Sequence, residues 1–433
     1  MTTIAHMEEN KTDIKTVATA SLVGTAIEWY DFFIFSSLTP LVFNKLFFPF
    51  DNPLISDLLA YATFAAGFIV RPLGGIVFGH FGDRIGRKRL LVLTLTLMGL
   101  GTFLIGLLPT YSQIGIWAPI ILLALRVMQG LALGGEWGGA VLMAFEFAKP
   151  GRRALYSSIP QIGLALGLAI GTGGIALLSG TLSNDTFLSW GWRLPFLASC
   201  LLLGVGLYIR ARIAETPEFD NVKKEGRIAR VPFVEVLAHY KTPFVLGLGV
   251  NLIMGLVFSV YCVFGMGLMV KSGAISRTGS LSAVSLAAVM LLFTIPLSSL
   301  LADRIGTKKV FVWASIASGA LAFPILWVML YSGNPLWITL AILVGFGCLW
   351  GPLYGLQSSI YCVLFDARLR YTGISLVYQL GSVLSISLTP IVAASLFAVN
   401  GTPLLIGTYM VIAAVIGAVS VKLMNFKSEE HHA

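Results

Sequence analysis

Charge is what this sequence has least of. Only 11% of its 433 residues are Asp, Glu, Lys or Arg, against 57% hydrophobic, whereas a soluble domain carries roughly a quarter charged residues. That shortage excludes a chain solvated on all sides by water. Cysteine is scarce as well: Cys200, Cys262, Cys348 and Cys362 all fall in apolar runs, with no Cys-x-x-Cys spacing and no nearby His. A thiolate metal site is therefore not expected, and the four read as small buried hydrophobes. The Gly-rich segment at 134–139 is not followed by Gly-Lys-Ser/Thr and is not preceded by a strand pattern, which removes the phosphate-loop reading. His-Glu-x-x-His and Gly-x-Ser-x-Gly are also missing. No enzyme activity, cofactor or metal is expected. The first apolar run starts near Thr16 without a basic n-region or a small-residue cleavage site, so it reads as a spanning helix rather than a removable signal peptide.

What is present is a series of long apolar runs, each near the roughly 20 residues that cross a hydrocarbon core. Twelve are expected, at about 16–45, 57–79, 88–108, 115–146, 153–179, 189–210, 242–270, 278–302, 308–331, 335–365, 371–398 and 402–424. The formal charge of +9 could suggest nucleic acid, but the basic residues sit at alternate helix ends rather than on one face, so no nucleic-acid partner is expected. Arg84 to Arg89, Lys149 to Arg153, Arg210 to Arg230, Arg304 to Lys309 and Arg368 with Arg370 mark one side. By the positive-inside rule that side is cytoplasmic, and both termini lie there. The longest polar stretch, 211–241, divides an N-terminal bundle (16–210) from a C-terminal bundle (242–424), with cytoplasmic ends at 1–15 and 425–433. The halves share a signal: Gly79-His-Phe-Gly-Asp-Arg-Ile-Gly-Arg-Lys-Arg follows the second run and Ser299-Leu-Leu-Ala-Asp-Arg-Ile-Gly-Thr-Lys-Lys the eighth. The fold class this predicts is an all-α membrane protein, twelve transmembrane helices in two six-helix bundles related as a parallel repeat, with a solute site between them near the midplane.

Ionisable side chains deep in a span cost about 2.5–3.5 kcal/mol each on insertion scales and so need a partner or a task. Glu28 and Asp31 in the first run, Arg71 in the second, and Arg126 and Glu136 in the fourth meet that description. Glu28 and Asp31 share one helix face about a turn apart, and like charge with desolvation favours holding a proton; the alternative is that both neutralise Arg71 and Arg126 in a packing cluster. Arg71 and Arg126 match a carboxylate bidentately, so an anionic solute is a natural partner, unless Arg126 is kept by a first-run carboxylate. Glu136 lies about 15 Å further toward the cytoplasm along the same helix; it joins the proton-carrying candidates but is not expected at the same ligand. Neutral candidates for lining a cavity are Trp29, Tyr30, Gln161, Asn251, Tyr354, Gln357, Tyr378 and Gln379, each of which could instead serve helix contacts.

Gating candidates cluster at the basic side. Gly79 and Gly86 allow a close turn, and Asp83 could face a helix N-terminus or a neighbouring Arg and so form a latch. Glu146, beside Lys149, Arg152 and Arg153, belongs to the same charge layer, and Asp303, Arg304 and Gly306 form the second copy. Gly163, Gly167 and Gly171 recur every four residues, a stripe that lets helices approach closely, for packing or for movement.

Read together, Gly24-Thr-Ala-Ile-Glu-Trp-Tyr-Asp-Phe-Phe, Val70-Arg-Pro-Leu-Gly-Gly, the 79–89 turn, Arg126-Val-Met-Gln-Gly, Gly134-Gly-Glu-Trp-Gly-Gly, Ser189-Trp-Gly-Trp-Arg-Leu-Pro-Phe and Arg370-Tyr-Thr-Gly resemble the major facilitator superfamily. Within it they resemble the metabolite:proton symporters, which include shikimate, α-ketoglutarate, citrate and proline/betaine carriers. The resemblance covers nearly the whole chain. It implies rocker-switch alternating access driven by proton entry, an inside-gate role for Asp83, Arg84 and Arg87, and a place for Arg126 in proton coupling or substrate binding. Stretches 61–90 and 115–140 look most like the shikimate carrier. The second turn departs from the first, with Ser299 for Gly79 and Thr307 for Arg87, and the acidic end of the tenth helix is shifted to Asp366. No heptads follow Lys422, which argues against the coiled coil of some osmolyte carriers. The expectation is a symporter of a small organic acid with protons, embedded as a monomer in the plasma (inner) membrane. A zwitterionic-osmolyte symporter and a non-transporting solute sensor are the alternatives.

Overall fold

The computed structural model describes residues 14–211 and 232–424; the basic stretch Lys223, Lys224, Arg227 and Arg230 and both ends of the chain lie outside the described residues. Among them the structure is helical throughout, with no strand. The spanning elements are α1 (Ile14–Leu38), α2 (Pro53–Ile69, continuing as Arg71–Ile85), α3 (Arg87–Leu107), α4 (Trp117–Phe147), α5 (Arg153–Thr181) and α6 (Arg193–Ala211). They continue with α7 (Lys241–Phe258), α8 (Arg277–Ile305), α9 (Thr307–Tyr331), α10 (Pro335–Leu364), α11 (Arg370–Asn400) and α12 (Leu404–Leu423). Ten of these are long and apolar enough to cross a membrane, eleven if α6 is counted with the bent segment before it. The twelfth, α1, is 25 residues long, about 37 Å at the helical rise. It carries Glu28 and Asp31, and its polar residues Ser21, Thr25, Glu28 and Asp31 are all buried. Its polarity is turned inward, away from lipid.

The lipid-facing surface explains the composition. Ile69, Leu201 and Val399 are more than 70% exposed, which water would oppose and hydrocarbon does not. The same reasoning corrects the cysteine expectation: only Cys362 is buried, Cys262 and Cys348 are partly covered and Cys200 is exposed. In a bilayer an apolar thiol has no need of a protein core.

Packing repeats along the chain. α1 packs on α5, α3 on α4 and α6, and α2 on α4; α7 packs on α11, α9 on α10 and α12, and α8 on α10. Contacts between the halves exchange the same roles, α2 with α11 and α8 with α5. Small residues make the α2–α4 crossing. A Cβ on Gly130 would lie 2.1 Å from the Gly67 carbonyl oxygen, and one on Gly134 2.2 Å from that of Arg71. The Gly163, Gly167 and Gly171 stripe faces α1 in its own half, where added Cβ atoms at Gly163 and Gly167 would strike the backbone of Ala26 and Tyr30. It serves packing within a bundle.

Helix interruptions were not visible in the apolar pattern. α2 breaks at Val70, with Pro72 in the first turn of the second segment, where a missing N–H breaks the ladder. α10 and α11 pass through π-helical turns at Leu343–Trp350 and Val383–Ser387, each followed within three residues by a proline at the start of the next α-segment. The α7 helix runs into another at Ser259–Phe264. The linker also holds more order than its polarity suggests: Pro232–His239 is a helix, with Val236 fully buried. Tyr240 donates to Asp366, and Arg368 pairs with Glu235 at 3.1 Å.

Candidate functional site

Between the halves, near mid-span, lies a cleft of about 680 Å³ counting its open mouth. The break at Val70 is what brings Arg71 to it, at the first turn of the second α2 segment. Among the described residues Arg71 is the one charged side chain on the wall, and its guanidinium lies over the Phe68 ring at 4.1 Å. Of the other residues singled out for lining, Trp29, Tyr354, Tyr378 and Gln379 are on the wall. Glu28 is off it but within electrostatic reach of Arg71, Tyr354 and Tyr378.

The remaining candidates lie elsewhere. Arg126 is buried within the first bundle. Its Nη1 donates to Asp31 Oδ2 at 3.4 Å and Gln129 Oε1 at 3.0 Å, and its guanidinium covers the Phe35 ring at 4.0 Å. Asp31 also accepts from Thr102 (2.6 Å) and from Gln129 Nε2 (3.1 Å). The pairing of Arg126 with a first-run carboxylate is thus the one found, and Arg126 is not a wall residue. Tyr30 donates to the Pro195 carbonyl at 2.6 Å, and Glu136 accepts from Thr94 at 2.6 Å. Asn251 bridges α7 to α11 through the Tyr378 carbonyl and Ser385; Gln357 donates to Tyr361. Gln161 takes the Trp137 indole N–H at 2.8 Å and donates to the Tyr354 carbonyl at 3.0 Å. Six of these candidates, Arg126, Asp31, Tyr30, Glu136, Asn251 and Gln357, are held in contacts within one half; Gln161 ties the two halves together.

The cleft is floored on its basic side by bonds between the halves. Trp137 lies flat on Tyr378, ring centres 3.7 Å apart, and Gln379 donates to the Gly134 carbonyl at 3.1 Å. The Gly134–Gly139 segment, set aside as a phosphate loop, is thus a contact face: a Cβ on Gly138 would meet Ser375 and one on Gly139 the Tyr371 hydroxyl. Below it Ser358 donates to Ser157 at 3.2 Å.

At the basic end the two repeated turns do the same thing in mirror fashion. Asp83 accepts backbone N–H from Tyr371 (3.2 Å) and Thr372 (2.9 Å), the first turn of α11; Asp303 accepts from Ala154 (2.9 Å) and Leu155 (3.0 Å), the first turn of α5. A carboxylate there meets orphan donors and the positive end of the helix dipole. Asp83 engages both partners open to it: it bonds to the helix N-terminus and stands in the field of Arg87. Gly79 faces Thr372, and Gly86 and Gly306 turn the chain at φ 110° and 100°. Glu146 accepts from Arg370 (3.0 Å) and pairs with Nη2 of the fully buried Arg87 (3.4 Å), the same nitrogen that donates to the Ala367 carbonyl at 2.6 Å. The second copy has Thr307 in place of Arg87, and Asp366 is engaged by Tyr240 instead. Arg84 bonds to His80 in its own helix and is exposed, as is Arg304, while Arg153 lies over Phe145 at 4.8 Å.

Twelve helices in two interlocked repeats, sealed on one side around a central cleft, define a secondary transporter rather than an enzyme. The sequence profile of the Major Facilitator Superfamily matches residues 21–390, and the chain belongs to that superfamily, in its metabolite:proton symporter family. It is 38% identical to the inner membrane metabolite transport protein YhjE of Escherichia coli K12, covering 100% of this chain and 99% of the relative. It is 37% identical to the shikimate transporter of the same organism, over 94% of each. The proline/betaine transporter of Salmonella typhimurium is 30% identical, over 94% of this chain and 82% of that one. Among solved structures, the proton:xylose symporter XylE bound to 6-bromo-6-deoxy-D-glucose superposes with a TM-score of 0.72 at 14% identity, over 96% of each chain.

Proposed function

We propose that the protein is a symporter of the inner membrane that carries a small carboxylate into the cell together with protons. The observation that carries this reading is Arg71, the single charge among the described residues on the wall of a mid-membrane cleft. Its Nε has no hydrogen-bond partner. A guanidinium in such a place favours an anionic ligand. Asp31 and Glu28 are the proton carriers in this proposal. Glu28 stands in the field of Arg71, so a substrate carboxylate and an ionised Glu28 would compete for one cation, and protonation of Glu28 would release Arg71 to the substrate. Asp31 serves from behind the wall through Arg126 and Gln129. The basic side is taken as cytoplasmic, with Asp83, Asp303 and the Arg87–Glu146–Arg370 group as the gate that opens when the halves rock.

One observation favours a second reading: the rings of Trp29, Phe68 and Trp350 at the cleft could hold a quaternary ammonium, as a proline- or betaine-type zwitterion would require. Reconstituted vesicles separate the two. Proton uptake on adding shikimate, α-ketoglutarate, citrate or benzoate, lost in Asp31→Asn, supports carboxylate symport; uptake on betaine alone, or movement of solute without protons, overturns it.

A further inference from the structure

A second cavity, of about 770 Å³ counting its open mouth, lies between the halves at the basic end. Phe145 of α4 and Arg153 of α5 line it from the first half, and residues 363–367 with Arg370 of α11 from the second. Two guanidiniums, one from each half, share a single ring: that of Arg153 stands 4.8 Å and that of Arg370 6.0 Å from the centre of Phe145. Arg370 is held in place by Nε, which donates to the Phe365 carbonyl (3.1 Å), and by Nη1, which donates to Glu146 (3.0 Å), and this leaves Nη2 for a ligand. The third charged group on the wall is Asp366; Tyr240 donates to its Oδ2, which leaves Oδ1 to accept. Behind the wall Glu146 pairs with Arg87 as well as Arg370, so that among the described residues three guanidiniums meet two carboxylates around the cavity. Exposed Lys149 and Arg152 flank it in the loop before α5. Cations gathered in this way repel one another, and an anion placed between them removes that repulsion.

We infer that this cavity is a binding site for inorganic phosphate, and that phosphate bound there holds the basic side closed. A guanidinium fork takes two oxygens of a tetrahedral dianion. Near neutral pH hydrogen phosphate keeps one O–H, and this donates to Asp366, since a carboxylate accepts and cannot donate. Sulfate has the same shape and charge but no proton to give, and it meets Asp366 as bare repulsion. A site built to pair with a ligand hydroxyl rejects the analogue that lacks it. A lipid phosphodiester, with a single charge and no O–H, fails on the same count. Because Arg153 belongs to α5 and Arg370 to α11, the bound anion ties one half to the other. It stabilises only the arrangement in which the two meet, as any ligand that binds one of two states must. At ten times its dissociation constant, opening at the basic face falls by about tenfold. The cavity shares no lining residue with the central cleft, so phosphate acts as a brake set from the basic side whatever solute the cleft carries. The braking rests on the reading that the halves rock apart; the binding does not.

The test is calorimetric titration of the purified full-length protein, in phosphatidylcholine nanodiscs at one near-neutral pH and fixed ionic strength, with sodium phosphate and with sodium sulfate. Phosphate should bind at least about tenfold tighter than sulfate. Arg153→Gln should weaken phosphate binding by about tenfold. Asp366→Asn should erase the preference by raising the affinity for sulfate, a gain that a damaged fold would not give. Should Arg153→Gln fail to fold, Arg153→Lys is the second variant, which keeps the charge, loses the fork and should show a smaller loss. Absence of phosphate binding at millimolar concentration overturns the site, as does equal binding of sulfate by the parent or phosphate binding undiminished in the folded Arg153 variants. Phosphate affinity should be the same in nanodiscs containing phosphatidylglycerol; its loss there would overturn the phosphate assignment in favour of a lipid headgroup. Maleimide labelling of Ser358→Cys from the basic face, with accessible native cysteines replaced, should slow by about tenfold in saturating phosphate and not in the same concentration of sulfate. Unchanged labelling of protein that binds phosphate overturns the brake. Failure of carboxylate symport in the vesicle assay would touch neither binding nor labelling.

Discussion

At the scale of single residues, the two buried arginines are chemically alike and differently employed. Arg71 faces a cleft; Arg126 is tied to Asp31 and Gln129 and covers Phe35. Arg71→Gln is expected to abolish substrate-dependent proton uptake while lowering the thermal unfolding midpoint in detergent only modestly, through the field of Arg71 that Glu28 loses. Arg126→Gln should lower that midpoint strongly, because removing one partner of a buried pair strands the other at a cost of about 3–5 kcal/mol. Thermal unfolding and vesicle flux of the two variants side by side check this, and an unfolding midpoint lowered more by Arg71→Gln would refute it. Gly134 makes a similar distinction between sequence and space. Its added Cβ would sit 2.2 Å from the Arg71 carbonyl oxygen, so Gly134→Ala must part α2 from α4, costing about 1–3 kcal/mol as overpacking does, and displacing Arg71. Its carbonyl also accepts from Gln379 across the cleft floor. The glycines were legible as a motif, but their partner helix was not, since nothing local in 134–139 names α2 or α11.

At the scale of elements, the repeated turns were readable and their targets were not. Gly-Asp-Arg-Ile-Gly recurs nearly unchanged as Ala-Asp-Arg-Ile-Gly, yet each aspartate acts on a helix start nearly 150 or more residues away in the other half. Neutralising either should weaken the hold on a helix N-terminus by about 1–2 kcal/mol, a fivefold to thirtyfold shift toward opening at the basic face. A membrane-impermeant maleimide applied to that face of inverted vesicles should label Ser157→Cys faster in Asp83→Asn and Asp303→Asn backgrounds than in the parent, with accessible native cysteines replaced; equal rates would contradict a latch. The prolines of α2, α10 and α11 were in plain view, but the π-helical turns preceding Pro352 and Pro390 were not, because a widened turn depends on what the helix packs against. Those turns place Trp350 and Val383 at the cleft.

At the scale of the whole molecule, the bonds between the halves run from the basic end up to the cleft floor and must break if transport proceeds by rocking. Ser157 and Ser358, oxygen to oxygen 3.2 Å apart, offer a clamp. A Ser157→Cys/Ser358→Cys protein should form a disulfide under mild oxidation, lose uptake, and regain it on reduction; uptake undiminished by a demonstrated cross-link would exclude rocking about this interface. Substrate charge has a reading at the same scale. A monoanion entering with one proton moves no net charge and is driven by the pH difference alone, about 1.4 kcal/mol per unit. A zwitterion with one proton also draws on the potential, about 2.3 kcal/mol per 100 mV. Uptake that falls as external pH rises, but is indifferent to a valinomycin-set potential, is the expected outcome for the carboxylate.

Sequence by itself determined the solvent, the helix count and the repeat, because each is written in local composition: twenty apolar residues must span, and basic loops must stay on one side. It also singled out the few charges worth attention. Which of them meets the cleft was decided only by tertiary structure. Arg71 and Arg126 have the same chemistry and similar depth, and their separation arises from a proline break in one helix and a carboxylate carried by another. Of the rings on the wall, Trp29, Tyr354 and Tyr378 were singled out from the sequence while Phe32, Phe68, Phe258 and Trp350 were not, for a related reason. Phe, Trp and Tyr in a membrane helix face lipid, core or a cavity with equal ease, and only the juxtaposition of two bundles turns some of them into the wall of a cleft.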